Sequence, residues 1–456
     1  MPVLAPSTHL RPDTAPADLG FDPLRLARID EHFERYVHDG RLAGWLIMVT
    51  RHGRIAHLAC CGRRDIEADA AVTPDTVWRI YSMTKPITSV AAMMLWEQGA
   101  FELKDEVARF IPAFANTRVY RSGAAPQPVT EPLMEPVRMW HLLTHTSGLT
   151  YGFHHHQPVD AMYRAAGFDM GTPPGRDLAA CCETWAKLPL LFQPGREWNY
   201  GVSTDVLGRV VEAISGQSLE QFLTEHIFKP LGMGQTGFHA TSDQADRLAA
   251  LYSPDPVSGK AKRNDELGDA ALSPPTCLSG GGGLVSTAAD YHRFTQMLLG
   301  EGRLGDTRLL GTRTVRLMAA NQLPGHADLE AFGRPLFAET TFDGMGFGLG
   351  FSVVEDPVAT RYAPSRGEFG WGGAASTAFW GRSGATDDGP LAHPDAAVKH
   401  LSPALTAASA RCPSPRGLTT AHLLRPGGER ASRAARTARE HQPQLTAVKE
   451  PATAAR

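Results

Sequence analysis

The first candidate for chemistry in this chain is the pair Ser82 and Lys85, three residues apart at the start of an apolar helical run. Residues three apart lie on the same face of a helical turn, so the two side chains can meet. Such a lysine can take the serine's proton if burial or a neighbouring cation disfavours its charged form. The helix N-terminus adds a positive dipole and free backbone N–H groups. The spacing predicts a serine nucleophile with a lysine base, although a capping serine before a solvated lysine gives the same pattern.

Length and composition indicate an ordinary globular protein. The 456 residues are 42% hydrophobic and 20% charged, with a formal net charge of −3, and a chain of this length can bury a large core. This balance gives no reason to expect nucleic acid or a membrane as partner. The six cysteines, four of them in two adjacent pairs, show neither metal-ligand spacing nor a disulfide framework. We therefore expect a protein that uses no metal and no cofactor.

The N-terminal segment and the apolar runs predict the location. Residues 1–22 lack a basic start followed by an apolar stretch, so they do not resemble a signal peptide. No apolar run reaches the length of a membrane span. We therefore predict a cytoplasmic protein.

The elements around the serine are predicted from hydrophobic period, glycine and proline. Helices are expected over 21–38, 86–98, 103–114, 139–149, 204–215 and 219–228, and a further helix is expected to begin at the capping box of Thr287. A hairpin is expected over 44–50 and 55–61, and strands are expected over 347–354 and 368–380. Residues 121–136 are expected to form a loop. Strands at both ends with helices between predict an α/β fold with a mainly antiparallel sheet, flanked by helices and carrying an inserted mostly helical domain. The expected divisions are an extension over 1–20, a catalytic domain over 21–380 with sheet regions at about 21–100 and 280–380 and a helical region at about 100–280, and a tail over 381–456.

Two further patterns receive a structural interpretation. The four glycines Gly280 to Gly283 lack the Lys-Ser/Thr of a phosphate loop, so we predict a close backbone turn and no nucleotide site. The histidines at 154–156 are consecutive and cannot all converge on one ion, so we predict an exposed loop without metal.

The tail differs in composition from the rest of the chain. Residues 381–456 contain no Phe, Trp, Tyr, Ile or Met, and such a segment cannot bury enough apolar surface to offset the entropy of ordering it. We predict low order there and a sheet that ends at Trp380. An alternative is a frameshift: permitted codons read one base later give a peptide with the run Met-Thr-Val-Leu-Leu-Leu-Thr, which predicts the missing strand.

Four pieces of sequence carry a family resemblance. They are Ser82-Met83-Thr84-Lys85, His145-Thr146-Ser147-Gly148, Trp198-Asn199-Tyr200-Gly201-Val202-Ser203 and Trp371-Gly372-Gly373-Ala374. In this order, from about Leu24 to Trp380, the chain resembles the serine β-lactamase-related hydrolases, in the branch that holds class C β-lactamases and family VIII carboxylesterases. The resemblance implies a β-lactamase/transpeptidase-like fold.

The resemblance also implies a role for each site residue. Ser82 matches the nucleophile that forms an acyl-enzyme with an ester or amide carbonyl, and Lys85 matches the lysine that activates it. Tyr200 matches the tyrosine that passes the proton to the leaving group, as a phenolate or as a phenol paired with the lysine. The implied oxyanion hole consists of the backbone N–H groups of Ser82 and Ala374, and His145 is expected to orient a loop. The residues implied to line the substrate are Val202, Trp371, Gly372 and Gly373.

Two departures from the family pattern narrow the substrate. Val202 stands where lactamases carry an asparagine that holds the antibiotic's amide side chain, and Trp371 replaces the lysine that pairs with its carboxylate. Both changes remove polar recognition, so a carboxylesterase acting on short-chain or hydrophobic esters is predicted, with a small-molecule ester or amide as its substrate. The oligomeric state is left open. The alternatives are a β-lactamase or D-alanyl-D-alanine peptidase of the same fold, and an inactive or poorly folded product if the tail is frameshifted.

Overall fold

The secondary structure is that of a computed structural model, which describes residues 10–334, 342–382 and 395–401. The α-helices are α1 Pro23–His38, α2 Thr84–Glu97, α3 Met139–Leu143, α4 Pro158–Ala165, α5 Leu178–Lys187, α6 Ser203–Ser215, α7 Leu219–Leu223, α8 Lys229–Leu231, α9 Asp265–Gly268, α10 Ala288–Leu299, α11 Thr312–Met318 and α12 Leu329–Phe332. The strands are β1 Gly44–Arg51, β2 Arg54–Asp65, β3 Ala70–Ala71, β4 Val77–Arg79, β5 Arg118–Ser122, β6 Val129–Pro132, β7 Tyr252–Pro254, β8 Ala261–Arg263, β9 Val285–Thr287, β10 Arg303–Leu304, β11 Thr307–Arg308, β12 Met345–Phe347, β13 Ser352–Val354, β14 Phe369–Gly372, β15 Thr377–Arg382 and β16 Asp395–Leu401.

One large sheet joins the two ends of the described chain. Its eight strands follow the order β12-β13-β14-β15-β16-β1-β2-β3, and every neighbouring pair is antiparallel. Most of the helices lie in the sequence between β3 and β12. The predicted fold class, an α/β arrangement with a mainly antiparallel sheet, is confirmed.

Helix α2 runs through the main hydrophobic core. Nearly all of its residues are buried, as expected for a helix that is apolar on every side. Its Ile87 and Val90 belong to the same core cluster as Leu46 of β1 and Val206 of α6. Lys85, in the first turn of this helix, is only 1% exposed. The core therefore holds the helix rigidly and places its N-terminus, with one buried cation, where the site can form.

Several predicted elements differ in detail because of proline and glycine. The helix expected over 103–114 is replaced by two 3-10 turns, Val107–Arg109 and Pro112–Asn116; Ile111 precedes the proline and is non-helical (φ −130, ψ 88). The predicted loop over 121–136 is wrong in part, since residues 121–122 and 129–132 belong to β5 and β6, which pair as a hairpin.

The two long strands predicted near the C-terminal end are both hairpins. Strands β12 and β13 are separated by a turn that includes Gly350, whose φ of +109 favours glycine. Strands β14 and β15 are separated by residues 373–376, where Ser376 has a φ of +58. The second of these turns carries Ala374, so this residue lies between strands and not on one.

The sheet does not end at β15. Strand β16 comes from the predicted low-order tail and pairs with β15 on one side and β1 on the other, so the prediction of no strand after Trp380 is wrong. The physical reason is that two open sheet edges can be paired by a seven-residue extended segment without proline or glycine, whatever the composition of the longer tail. The frameshift alternative concerns residues 381–456, of which 383–394 and 402–456 lie outside the described residues; sequencing the gene across codon 381 tests it.

Among the described residues, no helix is both long enough and apolar enough to cross a membrane.

The position of β16 predicts the effect of one substitution. Val398 is opposite Met48 and Phe379, so Val398→Pro removes a backbone N–H from the middle of the sheet. A buried carbonyl left without a partner costs about 1–3 kcal/mol, and we expect the free energy of unfolding to fall by this amount in urea titrations. Val398→Thr keeps the N–H and serves as the control. Equal stability of the proline variant and the wild type would contradict the pairing.

Candidate active site

The serine lies in a sharp turn between β4 and α2. Tyr81–Met83 forms a 3-10 turn, and Tyr81 has a φ of +40, a region that costs a non-glycine residue about 1–3 kcal/mol. The turn is held by backbone hydrogen bonds from Ile80 N to Leu284 O (3.1 Å) and from Met83 N to Ile80 O (2.9 Å). Ser82 is half-buried while Ile80 and Met83 are buried. The strained turn therefore places Ser82, which is only partly buried, directly before α2.

Lys85 lies directly against this hydroxyl. Its Nζ donates hydrogen bonds to Ser82 Oγ at 3.1 Å and to the carbonyl oxygen of Gly281 at 2.7 Å. The same nitrogen lies 4.4 Å from the centroid of the Tyr200 ring and 5.4 Å from that of Tyr151. The rings' negative faces attract a cation, more strongly when it is shielded from water. A buried lysine is thus held against the serine.

Tyr200 is held at both its ring and its backbone. Its hydroxyl oxygen accepts a hydrogen bond from Trp371 Nε1 at 3.2 Å, and the two ring centroids are 5.5 Å apart. Its carbonyl oxygen accepts hydrogen bonds from His154 Nε2 (2.8 Å) and Asn199 Nδ2 (3.1 Å). Burial lowers the pKa of His154 to about 4, so at neutral pH its imidazole is neutral and its Nε2 carries the donated proton. These contacts fix the phenol relative to Lys85.

Aromatic rings enclose Tyr200. Trp198 is stacked on it at 6.1 Å and His145 is tilted against it at 5.1 Å, while Phe347 packs on His145 and on Trp371. His145 is buried, with a backbone φ of +57, and its carbonyl accepts a hydrogen bond from the N–H of Asn199 at 2.9 Å. Burial, aided by the charge of Lys85, lowers the pKa of His145 well below its usual range. His145 thus acts here as a neutral packing residue.

The turn between β14 and β15 lies against the segment that carries the nucleophile. A Cβ on Gly373 would collide with the carbonyl oxygen of Ile80, and Thr377 Oγ1 donates to the same oxygen at 3.3 Å. Ala374 and Tyr81, the residue before Ser82, both pack against the small buried cluster of Leu251 and Ala375. The turn that carries Ala374 therefore lies beside the nucleophile's turn, and the oxyanion hole formed by Ser82 and Ala374 stays a prediction.

The remaining predicted residues are placed as follows. Trp371 and Gly372 are buried on β14, and Val202 is 4% exposed, at the N-cap of α6 within the main core. The interpretation of Trp371 as a purely apolar replacement is incomplete, because its indole N–H donates to Tyr200. Within the described residues no group of three or more His, Cys, Asp or Glu side chains is arranged to hold a metal ion.

Three residues of the site escaped the sequence argument. His154 was predicted in an exposed loop, and that is wrong for this residue alone, since His155 and His156 are exposed while His154 is buried. Gly281 accepts a hydrogen bond from Lys85, and the sequence signal for it was the glycine run, which was predicted only as a close backbone turn. Asp205 lies buried on α6; its signal was an acidic residue among the apolar positions of that helix.

A half-buried serine, a buried lysine and a tyrosine beside an antiparallel sheet define the class of the β-lactamase-fold serine hydrolases. The chain belongs to the beta-lactamase family, whose model matches residues 29–387. It is 38% identical over 345 residues to protein Rv1367c of Mycobacterium tuberculosis, a match that covers 75% of this chain and 82% of that protein.

Two further relatives have names that state an activity. Esterase EstB of Burkholderia gladioli is 31% identical over 363 residues, covering 76% of this chain and 84% of the esterase. The solved structure of EstCE1, described as a hydrolase with promiscuous acyltransferase activity, has a TM-score of 0.69 and 27% identity, and covers 85% of this chain and 94% of its own.

The contact between His154 and Tyr200 predicts a difference between two neighbouring histidines. His154→Phe keeps a ring of similar size but removes the hydrogen bond to the Tyr200 carbonyl, and the loss of one such bond costs about 1 kcal/mol. We expect lower stability in urea unfolding and a lower kcat for esters. His156→Phe, at an exposed position of the same loop, is the control. Equal effects of the two substitutions would contradict the positioning of Tyr200 by His154.

Proposed function

We propose that this protein hydrolyses carboxylic esters with short or hydrophobic groups, through an acyl-enzyme on Ser82. The observation that carries the proposal is the 3.1 Å hydrogen bond between Lys85 Nζ and Ser82 Oγ in a buried site. A nucleophile beside an adjacent base, with the base oriented by further groups, is the general arrangement of an activated serine. Here Gly281 orients Lys85, and Trp371 and His154 orient Tyr200.

In the proposed acylation step, one proton passes from Ser82 to the Lys85–Tyr200 pair and from this pair to the leaving group. Ser82 Oγ bonds to the ester carbonyl carbon while its proton passes to the Lys85–Tyr200 pair. When the carbon–oxygen bond of the ester breaks, the pair returns that proton to the departing alkoxide, which leaves as the alcohol. Water then attacks the acyl-enzyme with the same proton transfers, so that the acid leaves and Ser82 regains its proton.

Tyr200 needs help to act in this sequence, because a phenol with its ordinary pKa of about 10 is a poor base at neutral pH. Two contacts supply that help: the Lys85 ammonium over its ring at 4.4 Å and the Trp371 N–H on its oxygen at 3.2 Å. Both stabilise negative charge on the phenolic oxygen. The backbone N–H groups of Ser82 and Ala374 are proposed to stabilise the negative charge that develops on the substrate oxygen, a contribution of about a hundredfold or more in rate per donor.

Esters are favoured over β-lactams by the polarity of the site. Val202 is packed in the apolar core and has no polar side-chain atom, and Trp371 directs its N–H to Tyr200. Neither residue offers a charge or an amide to a penicillin. The esterase activity of a relative that is 31% identical supports the same preference.

A second candidate is acyl transfer from the acyl-enzyme to an alcohol in place of water. The aromatic rings of Tyr151 and Phe153 are stacked at 4.6 Å and both residues are half-buried, and Tyr151 lies close to Lys85 and Tyr200. Such a surface favours a hydrophobic acceptor. The description of EstCE1 supports this candidate, and adding an alcohol to the ester assay and measuring the new ester by chromatography tests it.

The nucleophile is tested with p-nitrophenyl butyrate. Ser82→Ala should lose at least about a thousandfold in kcat, because removal of the nucleophile leaves only binding and the oxyanion donors. Ser89→Ala is the matched control on the same helix, since the Ser89 hydroxyl has no hydrogen-bond partner among the described residues. Equal turnover by the Ser82→Ala variant and the wild type would rule out the proposal. Faster turnover of nitrocefin than of the butyrate ester would favour the β-lactamase alternative.

The hydrogen bond from Trp371 predicts a second kinetic effect. Trp371→Phe keeps an aromatic ring but removes the N–H on the Tyr200 oxygen, and a hydrogen bond to a charged group is worth about 1.5–3 kcal/mol. We expect kcat to fall about tenfold or more, with KM changed far less. Trp198→Phe is the comparison, because this indole also packs on Tyr200 while its Nε1 has no partner in the described chain. A loss of turnover at Trp198 as large as at Trp371 would show that ring packing, and not the N–H, matters.

A further inference from the structure

The glycine run that the sequence left without a role connects Lys85 to a buried carboxylate. Gly281 accepts the hydrogen bond of Lys85 Nζ on its carbonyl oxygen at 2.7 Å, and its own N–H donates to Asp205 Oδ1 at 3.0 Å. A Cβ at Gly281 would collide with Asp205 Oδ2. One peptide residue thus links the cation and the carboxylate, and only glycine fits against Asp205.

The side chain of Asp205 accepts two hydrogen bonds on one oxygen. Its side chain is buried, 4% exposed, on α6. The hydroxyl of Ser279 and the N–H of Gly281 both donate to its Oδ1, and charge-assisted bonds of this kind are stronger than neutral ones. Burial raises the pKa of Asp205, and the Lys85 charge and these two donors act in the opposite direction. The nearby cation is the group that makes a buried negative charge tolerable.

We propose that Asp205 is a positioning residue of the reaction: through Gly281 it fixes the loop over 279–283 against Lys85, and its negative charge raises the proton affinity of the Lys85–Tyr200 pair. This inference rests on the proposed function and names a group that sets the pH range in which that pair works. Asp205 does not touch the substrate. It acts on the reaction through the charge and the position of Lys85.

Several titratable groups share this environment. Those that face Lys85 are Ser82, His145, Tyr151, His154, Tyr200 and Asp205, and those that face Asp205 besides Lys85 are the thiols of Cys181, Cys182 and Cys277. Burial and the Lys85 charge keep both histidines neutral around pH 7. Removing the negative charge of Asp205 is therefore expected to lower the proton affinity of both Lys85 and Tyr200.

The test is the pH profile of kcat for p-nitrophenyl butyrate in Asp205→Asn. The asparagine keeps the shape and an acceptor oxygen but removes the charge, which lowers the proton affinity of both Lys85 and Tyr200. Both limbs of the bell-shaped profile should therefore move to lower pH, by about one unit, and the maximal kcat should fall about 10- to 100-fold with KM within about threefold. An unchanged profile with an unchanged maximal kcat would overturn the inference.

A matched control is Asp290→Asn. Asp290 is also a buried aspartate with two donors, Gln235 N (2.7 Å) and Thr236 Oγ1 (2.9 Å), and Lys85 is not among the charges that act on it. This variant should lose stability but keep the wild-type pH profile; a shift equal to that of Asp205→Asn would also overturn the inference.

If Asp205→Asn does not fold, Ser279→Ala is the second variant, because it removes one hydrogen-bond donor from the Asp205 carboxylate. Both limbs of its pH profile should move to lower pH, by less than about one unit. A pH profile identical to that of the wild type would overturn the inference.

The failure of this inference is distinguishable from the failure of the proposed function. If Ser82→Ala is inactive while Asp205→Asn has the wild-type profile and kcat, only the role of Asp205 is wrong. If Ser82→Ala turns over the ester as well as the wild type, the proposed function itself is wrong.

Discussion

The structure depends on the burial of Lys85 in the first turn of α2. Moving an amine out of water into a core is unfavourable unless hydrogen bonds and nearby charge replace the lost hydration. Lys85 is 1% exposed and has both: hydrogen bonds to Ser82 Oγ and the Gly281 carbonyl, two aromatic faces, and the Asp205 carboxylate beyond Gly281. Apart from Ser82, these partners come from three other segments of the chain, around Tyr151, over 200–205 and at Gly281, so the same requirement that keeps the lysine stable also brings the site together.

That requirement accounts for several features of the backbone that are energetically unfavourable by themselves. Tyr81 adopts a positive φ so that β4 can pass directly into α2 with Ser82 at the turn. Gly281 and Gly373 have no room for a side chain because one lies against Asp205 and the other against the carbonyl of Ile80. Backbone strain and close backbone approach of this kind concentrate at functional sites, where the surrounding packing enforces them. Here the rigid core around α2 and the paired strands β14 and β15 provide that packing.

Much of the fold was predictable because it depends on local patterns. Helices α1 and α6 and the β1–β2 hairpin follow from hydrophobic period and turn residues, and Thr287 caps α10 as predicted. The pairing of Ser82 with Lys85 also follows from helical spacing. His154, Asp205 and the N–H of Trp371 were not predictable, because their roles depend on contacts between residues from about 40 to more than 170 positions apart. Strand β16 was missed because the prediction used the average composition of the 76 residues after Trp380. An average of this kind does not reveal a seven-residue segment that can pair with two open strand edges.

The central claim, that Lys85 and its surroundings activate Ser82 as the nucleophile, is tested most directly by labelling. A p-nitrophenyl alkylphosphonate forms a stable adduct with an activated serine, and digestion followed by mass spectrometry identifies the modified residue. The account predicts one adduct, on the peptide that contains Ser82, formed with release of p-nitrophenol and absent from the Ser82→Ala variant. Labelling of a different residue, or labelling of the Ser82→Ala variant at the wild-type rate, would contradict it.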